Sequence, residues 1–308
     1  MKLKPLVVLL SSLALFQIPT QRSWADGRYF FEGDGSIRIT NSRTGIAGVG
    51  SEIRYRAPDG SYSQKAVRAI DRAFGVPHRS PDGISLRLVA LLDYLQDHFK
   101  GHFKAGSIRL LSGYRSPKYN EGLRRKGKLA GKTSLHIEGM AADIEMEGVD
   151  GKTLWNFVRG LNCCGAGYYH GKGIHIDTGP NRFWDEKTTK VGQNLGAHNR
   201  LILLRTDRDI YQPGETVHLT LARITDYPIG VRSEAILLNE TREIRKIRIS
   251  DDKGNCLRIS NRREARALSW KIPTDLQKER IQIGMDFCQK PFPEMPDRIE
   301  SNLIKVWK

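Results

Sequence analysis

The sequence predicts an α+β region followed by an all-β region, and three observations support this division. Between residues 26 and 197, apolar stripes with a helical period alternate with short strand-like segments. After about Ala197 the pattern changes to short alternating strands separated by turn residues such as Gln212-Pro213-Gly214-Glu215. The 308 residues, 39% of them hydrophobic, suffice for one large or two moderate cores. We therefore expect one domain over 26–197 and a second over 198–308.

Residues 1–25 have the features of a secretory signal peptide. Lys2 and Lys4 form a basic start, an apolar run extends from Pro5 to Phe16, and Ser23-Trp24-Ala25 fits a cleavage site. The run is shorter than the roughly 20 apolar residues that a membrane span needs, and no other stretch approaches that length. We therefore expect an exported, periplasmic protein without an integral membrane segment after cleavage.

The chain is strongly basic. Its formal net charge is +16, which becomes +13 when Lys2, Lys4 and Arg22 are removed. A long-range positive field favours acidic partners such as nucleic acid, anionic lipid or a carboxylate-rich cell-wall polymer. Export disfavours nucleic acid, and the sequence has no recognised nucleic-acid-binding signature. The simpler alternative is a basic protein whose scattered charges are solvated.

The four cysteines are an even number in a chain expected to enter an oxidising compartment. Cys256 and Cys288 both lie in the β-rich region, and a bridge between them would stabilise the fold by about 3.7 kcal/mol in the chain-entropy model. Cys163 and Cys164 are adjacent, too close for an ordinary bridge without strain. No second thiol pair stands at zinc-finger spacing. We predict the Cys256–Cys288 disulfide and leave the other two cysteines unassigned.

Turn residues and apolar periodicity predict the elements of the first region. Alternation on both sides of a glycine-rich stretch indicates a β-hairpin over residues 35–55. Ser85 is expected to cap the strongest helix, which ends at Gly101, and a strand follows over Ser107–Leu111. The basic face of the helix that begins at Pro117 is either solvated or binds a polymer. Other helices are predicted through Ala66–Phe74 and over Lys152–Leu161.

The second region reads as a β-sandwich of the immunoglobulin-like type. About seven strands fall within some 110 residues, which is the density expected of a sandwich. No acid, base or metal constellation stands out in it, so a structural or binding role is expected. The predicted strands are Leu201–Leu204, Val217–Leu221, Ala235–Leu238, Ile244–Ile249, Ala267–Ile272, Ile281–Phe287 and Leu303–Trp307.

Two segments of the first region carry residues that suggest chemistry. Residues 134–143 read Ser-Leu-His-Ile-Glu-Gly-Met-Ala-Ala-Asp, and residues 174–179 read Ile-His-Ile-Asp-Thr-Gly. Together His136, Asp143 and His175 form the kind of ligand set that holds catalytic zinc with one position open for water. A lone histidine is more often a hydrogen-bonded interior residue, but this combination in an exported protein favours a metal site.

Strand alternation indicates how these ligands could converge. Asp143 lies on one face of a strand over residues 140–146 while the alternate residues pack on the other face. His136 precedes Asp143 by seven residues, and in a straight strand this odd number would place the two side chains on opposite faces. Gly139 therefore has to supply a bend. His175 and Asp177 share a face of the second strand. Two adjacent antiparallel strands could therefore bring two imidazoles and a carboxylate to one point.

These motifs resemble the LAS group of zinc peptidases. That group contains D-alanyl-D-alanine carboxypeptidases and dipeptidases, murein endopeptidases and the zinc-bearing hedgehog signalling domain. The chain is most similar to the exported DUF882 (YcbK-like) branch of the M15 peptidases, from about Ser36 to Trp184 and excluding the β-rich tail. The resemblance depends on Ser112-Gly113-Tyr114-Arg115-Ser116-Pro117, Gly165-Ala166-Gly167-Tyr168-Tyr169, and His175-Ile176-Asp177-Thr178-Gly179 with Arg182 and Trp184.

The resemblance implies a role for several residues. It implies a Zn²⁺ ion held by His136, Asp143 and His175, with water in the fourth position. Arg115 matches the arginine of the Ser-Gly-Tyr-Arg stretch and would stabilise an oxyanion, or alternatively form a structural salt bridge. Asp177 is a candidate for orienting a ligand, and equally for capping the strand end.

The expected general base is missing from its usual place. Many LAS peptidases carry it as the Glu of Glu-x-x-His or the first His of His-x-His, just before the last ligand. Lys172 and Gly173 occupy those places here. His170 is the nearest titratable candidate, because an imidazole suits proton transfer near neutrality. A surface loop histidine is the alternative.

The resemblance implies an exported zinc metallopeptidase that hydrolyses amide bonds in peptidoglycan stem peptides or cross-links. It also implies a hedgehog/DD-peptidase-like antiparallel sheet with flanking helices, ahead of the β-sandwich. One alternative is a D-alanyl-D-alanine carboxypeptidase or dipeptidase of the same fold. The other is a non-catalytic, zinc-containing module that binds the cell wall, which the missing Glu-x-x-His would favour.

Overall fold

A computed structural model describes most of the chain after the first 32 residues. Among the described residues, no helix is both long and apolar enough to cross a membrane. The predicted signal peptide over residues 1–25 lies outside them. The described ranges are 33–41, 52–78, 83–103, 106–128, 130–171, 173–189, 196–240, 242–250 and 254–307.

The N-terminal region, residues 33–189, combines helices and strands, so the predicted α+β class is confirmed. Its helices are α1 (Gln64–Ala73), α2 (Leu86–Phe103), α3 (Pro117–Arg125) and α4 (Gly151–Leu161). Its strands are β1 (Ser36–Ile37), β2 (Ile39–Asn41), β3 (Ile53–Arg54), β4 (Ile108–Ser112), β5 (Ala141–Met146), β6 (Gly165–Tyr168), β7 (Ile174–Asp177) and β8 (Arg182–Asp185).

Six of these strands form one sheet in the order β2-β4-β5-β7-β6-β8. The central pairs are antiparallel, whereas β2 with β4 and β6 with β8 run parallel. The sheet is therefore mixed at its two margins rather than wholly antiparallel. The predicted hairpin over 35–55 survives as the short antiparallel pair of β1 and β3, while β2 leaves it to join the large sheet.

Three of the four helices begin at a side-chain cap. Ser63, Ser116 and Asp150 each accept a hydrogen bond from a backbone N–H in the first turn of α1, α3 and α4. Ser85 directly precedes α2 as predicted, and its carbonyl accepts from the Val89 N–H at 3.2 Å, but its buried Oγ atom has no hydrogen-bond partner among the described residues, so no side-chain cap forms. The Ser85 backbone N–H instead donates to the Gly139 carbonyl at 2.9 Å, so a tertiary contact sets this helix start.

The core of the N-terminal region lies between α2 and one face of the large sheet. Leu88 and Leu92 of α2 are fully buried together with Ile144 of β5 and Ile174 of β7. Complete burial of one such side chain contributes about 1.5–3 kcal/mol. Because strand residues alternate, burying Ile144 on this face turns Asp143 towards the opposite face. The core thus determines which face of the sheet carries the polar site.

Within its described residues, the C-terminal region, 196–307, contains all seven predicted strands and four further short ones. Two 3₁₀ turns lie at Ala197–Asn199 and Glu264–Arg266. The strands are β9 (Leu203–Thr206), β10 (Ile210–Tyr211), β11 (Thr216–Ala222), β12 (Ile229–Arg232), β13 (Glu234–Leu238), β14 (Glu243–Arg248), β15 (Cys256–Ile259), β16 (Leu268–Lys271), β17 (Arg280–Gln289), β18 (Arg298–Glu300) and β19 (Ile304–Val306).

These strands form an eight-stranded sheet around β17 and a three-stranded sheet in the order β16-β11-β9. Leu219 of the smaller sheet and Ile283 of the larger one are fully buried in the same apolar cluster. Two sheets that share one core are what a β-sandwich requires. The β-sandwich and its immunoglobulin-like form both stay predictions.

The cysteines are paired within each region. Cys256 and Cys288 form a disulfide with 5.9 Å between their Cα atoms, as predicted. This bridge joins β15 to β17 within the larger sheet. The adjacent Cys163 and Cys164, unassigned from the sequence, are also bonded to each other.

Candidate metal centre

The three predicted metal ligands meet on the face of the large sheet opposite the core. Asp143 on β5 and His175 on β7 are direct partners in the antiparallel pairing, so their side chains lie side by side. His136 precedes β5 in a tight turn that folds back through Gly139, whose φ is +67°. A Cβ atom on Gly139 would lie 2.3 Å from the Gly83 carbonyl oxygen, so this bend requires glycine. The predicted bend is confirmed.

The ligating atoms form a compact triangle. His175 Nδ1 lies 3.0 Å from Asp143 Oδ1, and His136 Nε2 lies 3.3 Å from that same oxygen. The two inner imidazole nitrogens are 3.3 Å apart. One donor atom from each residue therefore lies within 4.8 Å of the other two, and all three side chains are buried. Two imidazoles and one carboxylate are a ligand set that zinc accepts.

Contacts behind the histidines determine which ring nitrogen faces the triangle. The outer nitrogen of His136, Nδ1, lies 2.8 Å from the Gly113 carbonyl oxygen, which can only accept. The outer nitrogen of His175, Nε2, lies 2.8 Å from Asp177 Oδ2. Each outer nitrogen therefore carries the proton, and each inner nitrogen presents a lone pair. Three acceptor atoms that face one point, without a proton among them, fit a bound cation.

Asp177 is itself held in place by several donors. Its carboxylate accepts hydrogen bonds from Arg182 Nη1 at 3.0 Å, Arg182 Nη2 at 2.5 Å and the Gly179 backbone N–H at 2.8 Å. Burial alone would raise the pKa of Asp177, but Arg182 and His175 together hold it well below its usual value. Asp177 therefore stays charged and orients His175. The contact with Gly179 means that it also caps the strand end.

Arg115 and Tyr169 contact the carboxylate of Asp143. Arg115 Nη2 donates to Asp143 Oδ2 at 2.5 Å, and Arg115 Nε donates to Ser112 Oγ at 2.9 Å. The Tyr169 hydroxyl donates to Asp143 Oδ1 at 3.1 Å. The predicted arginine is thus at the site, in a buried ion pair. Tyr169 was missed as a site residue, although it ends a segment that carries the family resemblance.

The electrostatics of the triangle favour a charged Asp143. Burial acts to raise the pKa of Asp143, but the two imidazoles hold it well below its usual value. Burial lowers the pKa of His136. For His175, burial also acts to lower the pKa, but hydrogen bonds to Asp143 and Asp177 outweigh it and raise the pKa.

His170 lies apart from the triangle. Its Nε2 atom is 2.7 Å from Asp185 Oδ1, and its ring centroid is 4.4 Å from that of Tyr168. Tyr168 stacks on Trp155 of α4, on the core side of the sheet. Since Gly167 pairs with His175 across the strands, the adjacent Tyr168 points to the opposite face. The structure therefore groups four of the five predicted site residues and leaves His170 behind the sheet, where its role as a base stays a prediction.

The triangle opens into a groove of about 880 Å³. Among the described residues that line the groove, the charged side chains are basic, and Trp184 packs beside His175 with ring centroids 5.6 Å apart. A basic groove attracts substrates that carry carboxylates. The residues that line the groove include Arg115, His136, Tyr169, His175, Arg182 and Arg223.

Comparison with known proteins agrees with this geometry. Residues 36–184 match the family model Peptidase_M15_2, which is described as peptidoglycan L,D-endopeptidase MepK. The matched segment begins with β1 and ends within β8, so it includes the whole ligand triangle and both outer partners. The C-terminal region lies outside the match.

Curated relatives match a shorter stretch. The peptidoglycan L,D-endopeptidase MepK of Escherichia coli (strain K12) is 37% identical over 78 residues, which are 25% of this chain and 43% of that protein. The same figures hold for the Shigella flexneri protein. A probable peptidoglycan L,D-endopeptidase MepK of Haemophilus influenzae is 38% identical over 78 residues, or 25% of this chain and 42% of its own. The chain thus spans less than half the length of the curated relatives it matches. Residues 36–184, slightly less than half of the chain, are therefore similar to the M15 peptidases.

Proposed function

We propose that this protein is an exported zinc metallopeptidase that hydrolyses amide bonds in peptidoglycan cross-links. The observation that supports it best is the buried triangle of His136, Asp143 and His175 at the floor of a basic groove. The matching region and the relatives named as peptidoglycan L,D-endopeptidases support the substrate class. An open groove would suit a cross-link, whereas a closed pocket that reads a terminal carboxylate would suit a carboxypeptidase.

The proposed metal is zinc, held by His136 Nε2, Asp143 Oδ1 and His175 Nδ1. Two neutral imidazoles and one carboxylate leave a fourth position free in the tetrahedral geometry of catalytic zinc. When bound, zinc polarises a carbonyl group and makes a water molecule more acidic near neutral pH. Asp177 and the Gly113 carbonyl keep both imidazoles oriented, so the ligands need no rearrangement before the metal enters.

Arg115 and Tyr169 have two tasks in this proposal. Their contacts with Asp143 hold the carboxylate so that it faces the histidines. Both are also donors that line the groove next to the triangle. Burial and the neighbouring Asp143 raise the pKa of Tyr169 far above its usual value, so its hydroxyl stays protonated. A protonated phenol and a guanidinium can stabilise negative charge as it develops on a carbonyl oxygen.

Export and domain division are parts of the same proposal. Peptidoglycan lies outside the cytoplasmic membrane, which agrees with cleavage of the signal peptide near Ala25. The proposed catalytic domain comprises residues 26–197. The proposed β-sandwich domain comprises residues 198–308. Net positive charge keeps the protein near its carboxylate-rich substrate.

Digestion of isolated sacculi tests the proposed function. Purified mature protein is incubated with cross-linked sacculi in the presence and absence of a chelator, and the released muropeptides are separated and identified. The proposal expects products of cross-link cleavage that disappear with the chelator and return when zinc is added back. Release of a single terminal D-alanine would indicate a carboxypeptidase instead. Tight stoichiometric zinc with no product would contradict any peptidase function.

A further inference from the structure

The C-terminal region forms part of the wall of the groove that contains the metal ligands. Leu201 and Arg223, both outside the segment that matches the M15 family, line this groove together with His136 and His175. Ala222, the last residue of β11, is fully buried against Leu135. The groove is therefore a composite of the two regions, and residues absent from the family match face the same space as the ligands.

Polar contacts hold the two regions together beside the triangle. Glu138, two residues after His136, accepts hydrogen bonds at 3.2 Å from both Arg262 and Arg266 of the C-terminal region. On another side, Arg87 of α2 donates to Asp209 at 2.5 Å and to the Thr178 carbonyl at 3.1 Å. All five ionic side chains in these contacts are largely buried. These contacts fix the position of the C-terminal wall relative to the site.

The backbone conformation and the surroundings of Arg223 in this wall are both energetically unfavourable. Its φ is +62°, a left-handed backbone conformation that costs a residue with a Cβ atom roughly 1 kcal/mol. Its Nε atom is buried and has no hydrogen-bond partner within the part of the chain that the structure describes. Burial and then the positive charge of Arg182 lower the pKa of Arg223. A buried donor without an acceptor is destabilising unless a ligand supplies the acceptor.

The neighbouring Arg182 is already neutralised. Both of its terminal nitrogens donate to the carboxylate of Asp177, which orients His175. Arg223 faces the same groove, but among the described residues no carboxylate forms a hydrogen bond or ion pair with it, although the charge of Asp177 acts to raise its pKa. An anionic ligand would satisfy the Arg223 donors and relieve its repulsion from Arg182. A carboxylate fits best, because its two oxygens match the fork of a guanidinium.

We propose that Arg223 binds a free carboxylate of a peptide substrate, so that the C-terminal region determines specificity at the proposed active site. This proposal rests on the proposed function for the identity of the peptide, a stem peptide of peptidoglycan. The carboxylate would lie in the groove on the C-terminal side of the ligands. Removal of Arg223 would then weaken binding of carboxylate-bearing substrates and leave binding of their amides unchanged.

The test compares one cross-linked muropeptide in two forms, with free stem-peptide carboxylates and with the same groups converted to amides. Full-length mature protein is kept in chelator so that nothing is hydrolysed, and the Kd of each form is measured by calorimetry. Arg223→Gly removes the guanidinium at a backbone position where glycine is well tolerated. Arg258→Ala removes an equal charge from an exposed site on β15 of the same region and serves as the matched control.

We expect Arg223→Gly to weaken binding of the free-carboxylate form by about 10-fold to 100-fold, the range of a charged hydrogen bond, without affecting the amide form. Arg258→Ala should bind both forms as the wild type does. Equal effects of Arg223→Gly on both forms, or no effect, would overturn the proposal. If Arg223→Gly lowers the unfolding temperature, Arg223→Lys replaces it and must show a smaller carboxylate preference than wild type.

Turnover of the zinc-loaded protein on the same two muropeptides separates the two proposals. If the protein hydrolyses neither form, the proposed function fails, but the binding measurement still establishes or rejects the carboxylate site. If it hydrolyses both, Arg223→Gly should raise KM for the free-carboxylate form and leave kcat unchanged. A fall in kcat on both forms would contradict a role in specificity.

Discussion

Two groups of side chains within the described residues lie close enough together to hold a metal ion. One is the triangle of His136, Asp143 and His175, and the other is an acidic cluster of Asp34, Asp93 and Asp97. In both, one ligating atom from each residue lies within 4.8 Å of the others. Distances between ligating atoms therefore do not distinguish the two groups. The contacts around each group do distinguish them.

The acidic cluster already has partners that explain it. Asp97 accepts a hydrogen bond from the Asp34 backbone N–H at 2.6 Å, and Asp93 accepts from the Gly35 backbone N–H at 3.0 Å and the Tyr55 hydroxyl at 2.8 Å. These contacts attach the start of the described chain to α2. Burial raises the pKa of Asp93 to about 7, so a proton can neutralise it without a cation.

The triangle differs from the acidic cluster in the charge of its carboxylate and in having two histidines of defined tautomer. The pKa of Asp143 is lowered, and the outer partners of His136 and His175 turn one lone pair of each towards the centre. Outer contacts and protonation state, rather than proximity, therefore distinguish the proposed metal site from the acidic cluster.

The largest effect is expected from removing a ligand of the triangle. We expect His175→Ala to abolish stoichiometric zinc retention and turnover, because two ligands do not hold zinc tightly. Asp97→Ala, which removes a member of the acidic cluster, should retain one zinc per chain. Metal content after dialysis and muropeptide release measure both. Zinc lost equally in the two variants would erase the distinction between the groups.

A smaller effect is expected at the outer partner of His175. Asp177→Asn keeps the shape but removes the charge that orients the imidazole, so zinc affinity should fall by about 10-fold to 100-fold. Asp185→Asn is the matched control, because Asp185 contacts His170 rather than a ligand. Competition with a fluorescent chelator gives both affinities. An unchanged affinity in Asp177→Asn would show that ligand geometry alone is sufficient.

Tyr169 and His170 are adjacent but belong to opposite faces of the sheet. Tyr169→Phe should retain zinc and lower turnover by about 10-fold, since it removes one donor to a charged group. His170→Ala should also retain zinc, with a smaller loss because its ring contacts Tyr168 and Asp185. Steady-state kinetics on one muropeptide compares them. A loss of about 10²–10⁴-fold in His170→Ala would instead establish the base predicted from the sequence.

The acidic cluster should affect stability rather than activity. The pKa of Asp93 is raised in the folded state, so its stabilising contribution is complete below the unfolded value and is lost as pH rises through about 7. Asp34, Asp97 and Tyr55 are the titratable groups that face it. Relative to wild type, Asp93→Asn should gain about 2 kcal/mol of unfolding free energy between pH 5 and pH 8. Urea unfolding across that range measures it, and parallel pH profiles would contradict the assignment.

Much of the triangle could be predicted from the sequence because strand alternation is a strong constraint. The spacing within residues 140–146 and 174–177 places Asp143 and His175 on one face, and the odd offset of His136 requires the bend at Gly139. Tyr169 and His170 follow the end of β6, where alternation no longer applies. Their directions depend on loop geometry, which a single sequence does not reveal.

Contacts between distant segments account for the remaining differences. Ser85 looks like a helix cap locally, but the Gly139 carbonyl sets that helix start. The parallel pairing of β2 with β4 and the packing of Arg223 against the groove depend on how separate segments meet. Residues 1–32 and Lys172 lie outside the described residues, so the predictions made there stay predictions.

Titration of the metal-free, full-length mature protein with zinc tests the central claim most directly. Muropeptide release from cross-linked sacculi is measured at each step, with His175→Ala and Asp97→Ala in parallel. Activity should rise in proportion to zinc and reach a plateau at one equivalent in wild type and Asp97→Ala, and stay absent in His175→Ala. Activity that is independent of zinc, or one bound zinc without any product, would contradict the proposed metallopeptidase.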